Sequence, residues 1–386
     1  MLLVPTPFSS NSNKFTETYH EEGKSKGMPS FLFPAIMRSL SFLFLLLSGV
    51  LAAHSSIHGL KQRLSDIIGQ HDVGVCVITG RDTIGLNLDK EYELCSVMKF
   101  HQAVALAQYL GYPAVLQQEV DVKAEELRSD TWSPMRAEAR DHDFRISVPG
   151  LLNYTLQMSD NNACDVLFDR FITPIETDSI LRLQGLSDFG IAFNEAEMHA
   201  DPSLSRCNYS TPRSAAAFMD NFFRNDTTMA GAVVKAVMVR KSEFGRNRIP
   251  AGVSSSTGVY HKTGTGFDKP GNVISAVNDV AFITYPRPDG SIGGYTLAVF
   301  ISDWAGGMEN AEKLIADISE ATWDAMSISD FLAFNSQSRA AAIERRQNTA
   351  QIVDDSSSVG GILGEILVEL LWNIIDSKLY PDSNFD

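Results

Sequence analysis

The run Ser96-Val97-Met98-Lys99-Phe100-His101-Gln102-Ala103-Val104-Ala105-Leu106-Ala107-Gln108-Tyr109-Leu110 is apolar on almost every side when wound as a helix, and Gly111 with Pro113 closes it. A helix without a polar face has to be surrounded by other elements, so this one is predicted to be central and buried. Its first turn carries a hydroxyl and an amine: Ser96 and Lys99 share one face, where the amine can take the hydroxyl proton. A Ser-x-x-Lys pair arises by chance about once in a chain of this length, and then reads as a helix start with a solvated lysine. Position opposes that reading, because a lysine at the head of a buried helix needs partners for its charge.

On either side of this helix the chain changes period. Upstream, residues 57–68 read as a short helix, and Val73-Gly74-Val75-Cys76-Val77-Ile78 reads as a strand entering a hairpin at Gly80-Arg81-Asp82, with a second strand near residues 83–88. Downstream, helical segments cover residues 151–171, 211–223 and 229–239, and strands return over 258–263, 273–284 and 295–302. A last helix over residues 310–326 is predicted to cover the sheet. Strands at both ends with helices between them imply an α+β fold: an α/β/α sandwich whose antiparallel sheet is built from both ends of the chain, plus an inserted all-helical lobe. Ligands favour the junction of two such lobes.

The chain has 386 residues, 44% hydrophobic and 20% charged, enough for a sizeable core. Its formal net charge of -15 disfavours nucleic acid, which is gripped by clustered Lys and Arg. No repeat of solenoid period occurs and no His/Cys cluster has structural-zinc spacing, so no metal or cofactor is expected. Met37-Arg38, the apolar run Leu40-Ser41-Phe42-Leu43-Phe44-Leu45-Leu46-Leu47 and the small residues up to Ala52-Ala53 have the three regions of a secretory signal peptide. The run is shorter than the about 20 residues of a spanning helix, so cleavage and a periplasmic or secreted location are expected, with an uncleaved anchor as the alternative. No Cys follows the run to suggest a lipoprotein. The polar residues 1–27 precede the leader, and Met28 and Met37 are further candidate starts.

These readings divide the chain into a leader (residues 1–53), a catalytic domain (54–326) and an extension (327–386). The extension holds Arg345-Arg346-Gln347-Asn348 and an apolar segment over 362–375 with Glu365, Glu369 and Asp376 along one face. That segment reads as an amphipathic helix that docks on its own domain or on a partner; its acids do not suit an anionic membrane. Cys76, Cys95, Cys164 and Cys207 can pair in more than one way in an oxidising compartment, or stay as buried thiols, the state their patterned surroundings favour.

Two further motifs follow Ser96 and Lys99 in chain order. Ser159-Asp160-Asn161 lies in the helical lobe, and His261-Lys262-Thr263-Gly264-Thr265-Gly266 on a late strand. Ser-x-x-Lys, Ser-Asp-Asn and Lys-Thr-Gly, in this order, characterise class A β-lactamases and penicillin-binding proteins. The chain resembles the Cfx and PER branch of the class A serine β-lactamases over about residues 55–326, notably in Tyr154-Thr155-Leu156-Gln157-Met158-Ser159-Asp160-Asn161-Asn162-Ala163-Cys164-Asp165 and around Ser96. Glu195-Ala196-Glu197-Met198-His199 is similar to that branch's form of the loop glutamate motif, which penicillin-binding proteins lack.

The resemblance implies hydrolysis of penicillins and cephalosporins through a serine acyl-enzyme on the fold of the serine β-lactamases and DD-peptidases. It implies Ser96 as nucleophile, the N–H groups of Ser96 and Thr265 as oxyanion hole, and Lys99, or Glu195 through a water, as the acylation base. Ser159 would relay a proton to the ring nitrogen. Asn161 would hold the substrate amide, and Lys262, Thr263, Gly264 and Thr265 its carboxylate, on a strand that pairs with the substrate's backbone-like edge. Glu195 would activate water against the ester, with His199 supporting that water. Arg248 matches the branch's second carboxylate-binding cation, or is a solvated loop arginine. Trp132, in Trp132-Ser133-Pro134, matches the aromatic that flanks the cleft, or is a packed surface tryptophan.

Some positions depart from most of the class. His199 stands where Asn is usual. Phe193 and Asn208 replace the Arg and Asp of the salt bridge that closes the loop, so other contacts must close it. Cys95 precedes the nucleophile as in some carbapenemases, but Gly266 stands where its partner Cys would be, so no such disulfide is expected. Two other functions compete: a DD-peptidase, against which Glu195 speaks, and a non-catalytic β-lactam sensor, which usually sits on a spanning helix that a cleaved leader would not leave.

Overall fold

A computed structural model describes residues 57–80, 82–239 and 244–350. Helix α1 (Ile57–Ile68) turns Leu60, Leu64 and Ile68 inward, and strand β1 (Val73–Ile78) follows. Along β1 the side chains alternate: Val73, Val75 and Val77 join one core, and Cys76 the other. β1 pairs antiparallel with β2 (Thr83–Leu86) on one side and with a strand from the far end of the chain on the other.

The chain then passes through the short β3 (Tyr92–Glu93) and a 3₁₀ turn over Cys95–Val97 into α2 (Met98–Leu110). α3 (Ala114–Gln117), β4 (Glu119–Val122), α4 (Pro134–Ala139), β5 (Phe144–Ser147), α5 (Val148–Gln157), α6 (Asn161–Arg170), α7 (Pro174–Leu183), β6 (Phe189–Gly190), α8 (Glu195–Ala200) and β7 (Tyr209–Ser210) complete a lobe around it. α9 (Pro212–Asn225) and α10 (Met229–Met238) lead back to the sheet strands β8 (Gly258–Thr265), β9 (Asp268–Lys269), β10 (Val273–Pro286) and β11 (Ile292–Trp304), and α11 (Met308–Ala350) follows.

The sheet runs β2-β1-β11-β10-β8, with β9 on β10, and every pairing is antiparallel. It is therefore assembled from both ends of the chain, as the sequence implies. β8 lies at its edge, so the outer side of that strand is not used by the sheet. One face packs on α1 and α11 through Leu64, Leu314, Ile315 and Ile318; the other packs Phe282 and Phe300 into the core of the helical lobe. α2 is central: its residues from Met98 to Ala107 are all buried.

The structure departs from the sequence expectations in four places. The helix expected over residues 151–171 is two, α5 and α6, broken where Ser159 takes φ +53° and Asp160 caps α6 by accepting from the Ala163 N–H. Its apolar period runs on across the break because both pieces bury their faces in one core, so periodicity hides the interruption. The lobe is not all-helical: β4 pairs with β5, and β3, β7 and β6 form a three-stranded ribbon. The last helix does not stop at 326 but continues to Ala350, through a polar stretch rich in Ala, Arg, Glu and Gln, all good helix formers. All four cysteines are free thiols, but only Cys76, Cys95 and Cys164 are buried; Cys207 is exposed. The expected leader and the 362–375 segment lie outside the described residues. Among the described residues no helix is long and apolar enough to cross a membrane.

Candidate active site

Ser96 sits in the 3₁₀ turn that precedes α2, and that turn is held from two sides. The Leu94 N–H donates to the Asn208 carbonyl (2.8 Å), while Asn278 on β10 donates from Nδ2 to the carbonyls of Glu93 (2.7 Å) and Leu94 (3.3 Å). β8 passes so close that a Cβ on Gly264 would lie 2.6 Å from the Leu94 carbonyl oxygen. Only glycine lets the strand approach the nucleophile turn this closely.

Lys99 is fully buried and is not the solvated lysine of a chance motif. Its Nζ donates to Ser96 Oγ (3.1 Å), the Ser159 carbonyl (2.8 Å) and Asn161 Oδ1 (2.5 Å), and lies 3.0 Å from Glu195 Oε1. An ammonium has three protons, and three oxygens already take them. Glu195 is thus an ion-pair partner without a hydrogen bond, and its Oε1 has no donor among the protein groups.

The break between α5 and α6 lets Ser159 and Asn161 both reach the cleft. Ser133 Oγ and the Met135 N–H donate to the buried Asp160, whose ordinary carboxyl range is raised by burial. Ser159 Oγ accepts from Lys262 Nζ (2.9 Å), which also donates to the Thr263 carbonyl (2.9 Å). Burial first, and the nearby charge of Lys99 second, push the Lys262 pKa well below the ordinary lysine value. Asn161 Nδ2 donates to Thr131 Oγ1 at 2.8 Å. The structure therefore brings Ser96, Lys99, Ser159, Asn161, Glu195 and Lys262 into one polar cluster between sheet and lobe.

Arg248 is buried, not a solvated loop residue. It donates from Nη1 to the carbonyls of Gly264 (2.9 Å) and Asn278 (2.8 Å), from Nη2 to Thr265 Oγ1 (2.8 Å), and pairs through Nε with Glu312 (3.2 Å). A second cation thus stands behind the Lys262-Thr263-Gly264-Thr265 strand. Trp132 is 54% exposed, yet its Nε1 is fixed to the Met158 carbonyl at 2.9 Å, so it is oriented without being packed away.

Glu195 opens α8, whose first turn is held by a residue that sequence reasoning assigned no role. The N–H groups of Glu195 and Ala196 donate to the two oxygens of Asp165, at 2.8 and 2.9 Å. Burial, reinforced by the charge of Glu195, pushes the Asp165 pKa up to about 7. The available signal was its spacing: Asp165 lies four residues after Asn161 on α6, one turn along the same face. The loop before α8 is closed by Asn208 in place of a salt bridge. Its Oδ1 accepts from the N–H groups of Ala192 (2.8 Å) and Phe193 (3.1 Å), and its Nδ2 donates to the Phe193 carbonyl (2.7 Å). The half-exposed ring of His199, four residues after Glu195 on α8, lies 3.3 Å from Asp130, which Arg128 also holds.

A serine backed by a buried lysine, a second serine fed by a second lysine, and a loop carboxylate are the parts of a serine hydrolase that works through a covalent ester. The profile of the Beta-lactamase enzyme family matches residues 59–326. A beta-lactamase of Phocaeicola vulgatus is 35% identical over 259 residues, covering 65% of this chain and 79% of that protein. The extended-spectrum beta-lactamase PER-1 of Pseudomonas aeruginosa is 28% identical over 275 residues, 68% of this chain and 86% of that protein. The crystal structure of a class A beta-lactamase from Bacteroides cellulosilyticus DSM 14838 superposes with a TM-score of 0.64 at 27% identity, covering 69% of this chain and 97% of that one. The chain belongs to the beta-lactamase enzyme family, in its class A serine branch.

Proposed function

We propose that this chain opens penicillins and cephalosporins by forming an ester on Ser96 and clears that ester with water activated by Glu195. Ser96 Oγ attacks the lactam carbonyl while its proton passes either to Lys99, 3.1 Å away, once that ammonium has handed a proton to Glu195 Oε1 3.0 Å from it, or through a water to Glu195. The oxyanion is met by the N–H groups of Ser96 and Thr265. As the C–N bond breaks, the nitrogen takes the Ser159 proton, and Lys262, donating to Ser159 Oγ, lies in place to replace it. Lys262, Thr263 and Thr265, with Arg248 behind them, bind the substrate carboxylate, and the free edge of β8 pairs with the substrate's amide side.

In the second half, water attacks the ester carbonyl, Glu195 takes its proton, and Ser96 Oγ leaves with a proton. The observation that carries this reading is the placement of Glu195 in the same cluster as Ser96 and Lys99, with an uncommitted buried oxygen. His199, one helical turn after Glu195 on the same face of α8, supports that water. We further propose a catalytic unit of residues 54–326, exported by the leader whose Met37-Arg38 and following apolar run lie outside the described residues.

Turnover of a chromogenic cephalosporin by the purified chain, beside Ser96→Ala, tests the reading. The wild type is expected to turn over many equivalents and Ser96→Ala none, with unchanged thermal unfolding. Stoichiometric acylation without turnover in the wild type would contradict it in favour of a DD-peptidase or a sensor.

A further inference from the structure

No step of that reaction uses the carboxylate buried in the middle of the sheet. Asp279 is fully buried on β10, on the face where Val277, Ala281 and Ile283 pack into the core beneath α1 and α11. An ionised group in such a place has to be paired. His261 Nδ1 lies 2.9 and 3.1 Å from its two oxygens, and the Ile249 N–H donates to Oδ2 at 3.2 Å. An ionised carboxylate only accepts, so Nδ1 of this nearly buried ring carries a proton. Side chains alternate along β8, so His261 lies behind the strand while Lys262 reaches Ser159 in front of it.

The N–H that Asp279 accepts belongs to the residue after Arg248, at the head of a 3₁₀ turn over Ile249–Gly252. On its far side that turn rests on α11: Ser319 Oγ donates to the Ile249 carbonyl at 2.8 Å, and a Cβ on Gly252 would lie 2.3 Å from the Ala316 carbonyl oxygen. Those contacts keep the turn on the molecule. Asp279 is what ties it to the sheet, where the Arg248 guanidinium meets Gly264, Thr265 and Asn278. Charge works in the same direction as geometry. Burial and Lys99 push the Lys262 pKa down, and the charges of Glu195 and Asp279 oppose them.

We propose that His261 and Asp279 are a positioning pair for the carboxylate-binding edge of the cleft. His261 holds the Asp279 carboxylate in one orientation, Asp279 holds the Ile249 N–H, and Arg248 is thereby aimed at the Thr265 end of β8. The pair's role rests on the catalytic reading above, and neither residue touches substrate.

The test measures kcat and KM of wild type, His261→Leu, His261→Asn and Asp279→Asn for a cephalosporin with its carboxylate free and for the methyl ester of the same compound, with thermal unfolding as the folding control. His261→Leu is expected to raise KM for the free acid about threefold to tenfold, the factor one hydrogen bond supplies. Its kcat, and both values for the ester, should stay as in the wild type. His261→Asn, whose amide N–H can stand where the Nδ1 proton stood, should restore the wild-type KM. Asp279→Asn should resemble His261→Leu, because an amide offers one acceptor oxygen to two donors; if it does not fold, the His261 variants decide alone. In an Arg248→Ala background His261→Leu should add nothing, since the pair acts through that arginine. Equal changes for acid and ester, no change, or an undiminished effect without Arg248 overturn the pair while leaving the reaction intact. A wild type whose Ser96 is never acylated, read by intact mass, overturns the reaction and the pair's role with it.

Discussion

Asp165 shows how a single carboxylate can govern the second half of a reaction while touching no reacting atom. Only its ionised form accepts both N–H groups of the turn that aims Glu195, and its pKa is pushed up to about 7 by burial and by Glu195 itself. As pH falls through 7 a proton arrives where two N–H donors already point, and the turn loosens. Deacylation is therefore expected to show an acid limb near pH 7 that acylation lacks, measured on preformed acyl-enzyme. Asp165→Asn should remove that limb and slow deacylation at every pH, because an amide offers one acceptor oxygen to two donors. Stability runs the other way. A carboxyl held above its unfolded value of about 3.9 binds its proton more tightly in the fold, so its contribution is full below that value and lost as pH rises through 7. At this scale the sequence was legible where the chemistry lies in local motifs: Ser96, Lys99, Ser159, Asn161 and Lys262 meet as expected. Asp165 was given no role, and the contacts of Asn208 were not specified, because both side chains work on backbone N–H groups of a separate segment of the chain.

Among the elements, the approach of β8 to the nucleophile turn and the closure of the Glu195 loop are the fragile joints. A Cβ on Gly264 meets the Leu94 carbonyl oxygen, which the Val97 N–H and Asn278 Nδ2 hold in place, so Gly264→Ala is expected to cost about 1–3 kcal/mol in unfolding free energy and to reduce acylation. Asn208→Ala would leave the N–H groups of Ala192 and Phe193 without their acceptor, a cost of about 1–3 kcal/mol for a buried donor. It should lower the unfolding midpoint and slow deacylation more than acylation, because the loop it closes carries Glu195 and not Ser96. Most elements could be read from periodicity: α1 and β1 fall where expected, since one buried face imposes a clean period. The break at Ser159 could not, because a left-handed residue between two helices that share a core leaves the apolar period undisturbed.

For the whole molecule, a sheet closed by strands from both ends makes the fold cooperative across the length of the chain, while α11 extends beyond what the sheet needs. Its buried face ends near Met326, yet Asp330 still accepts from Tyr285 Oη (2.7 Å) and Arg287 Nε (2.9 Å). A chain ending at residue 341 is expected to keep full turnover and stability. One ending at 326 should keep turnover but lose about 1–2 kcal/mol by chemical denaturation, since the largely buried Tyr285 loses its acceptor. The length of the last helix was not visible in the sequence, because residues 327–350 carry no sustained apolar stripe to read. The central claim, that one cluster both forms and clears the ester, is tested most directly by following Glu195→Ala with a cephalosporin by time-resolved intact mass. The variant is predicted to acylate Ser96 to one equivalent and hold the adduct, with deacylation slowed about 10²–10⁴-fold, the contribution of a positioned general base. A Glu195→Ala chain that clears the adduct at the wild-type rate would contradict the account.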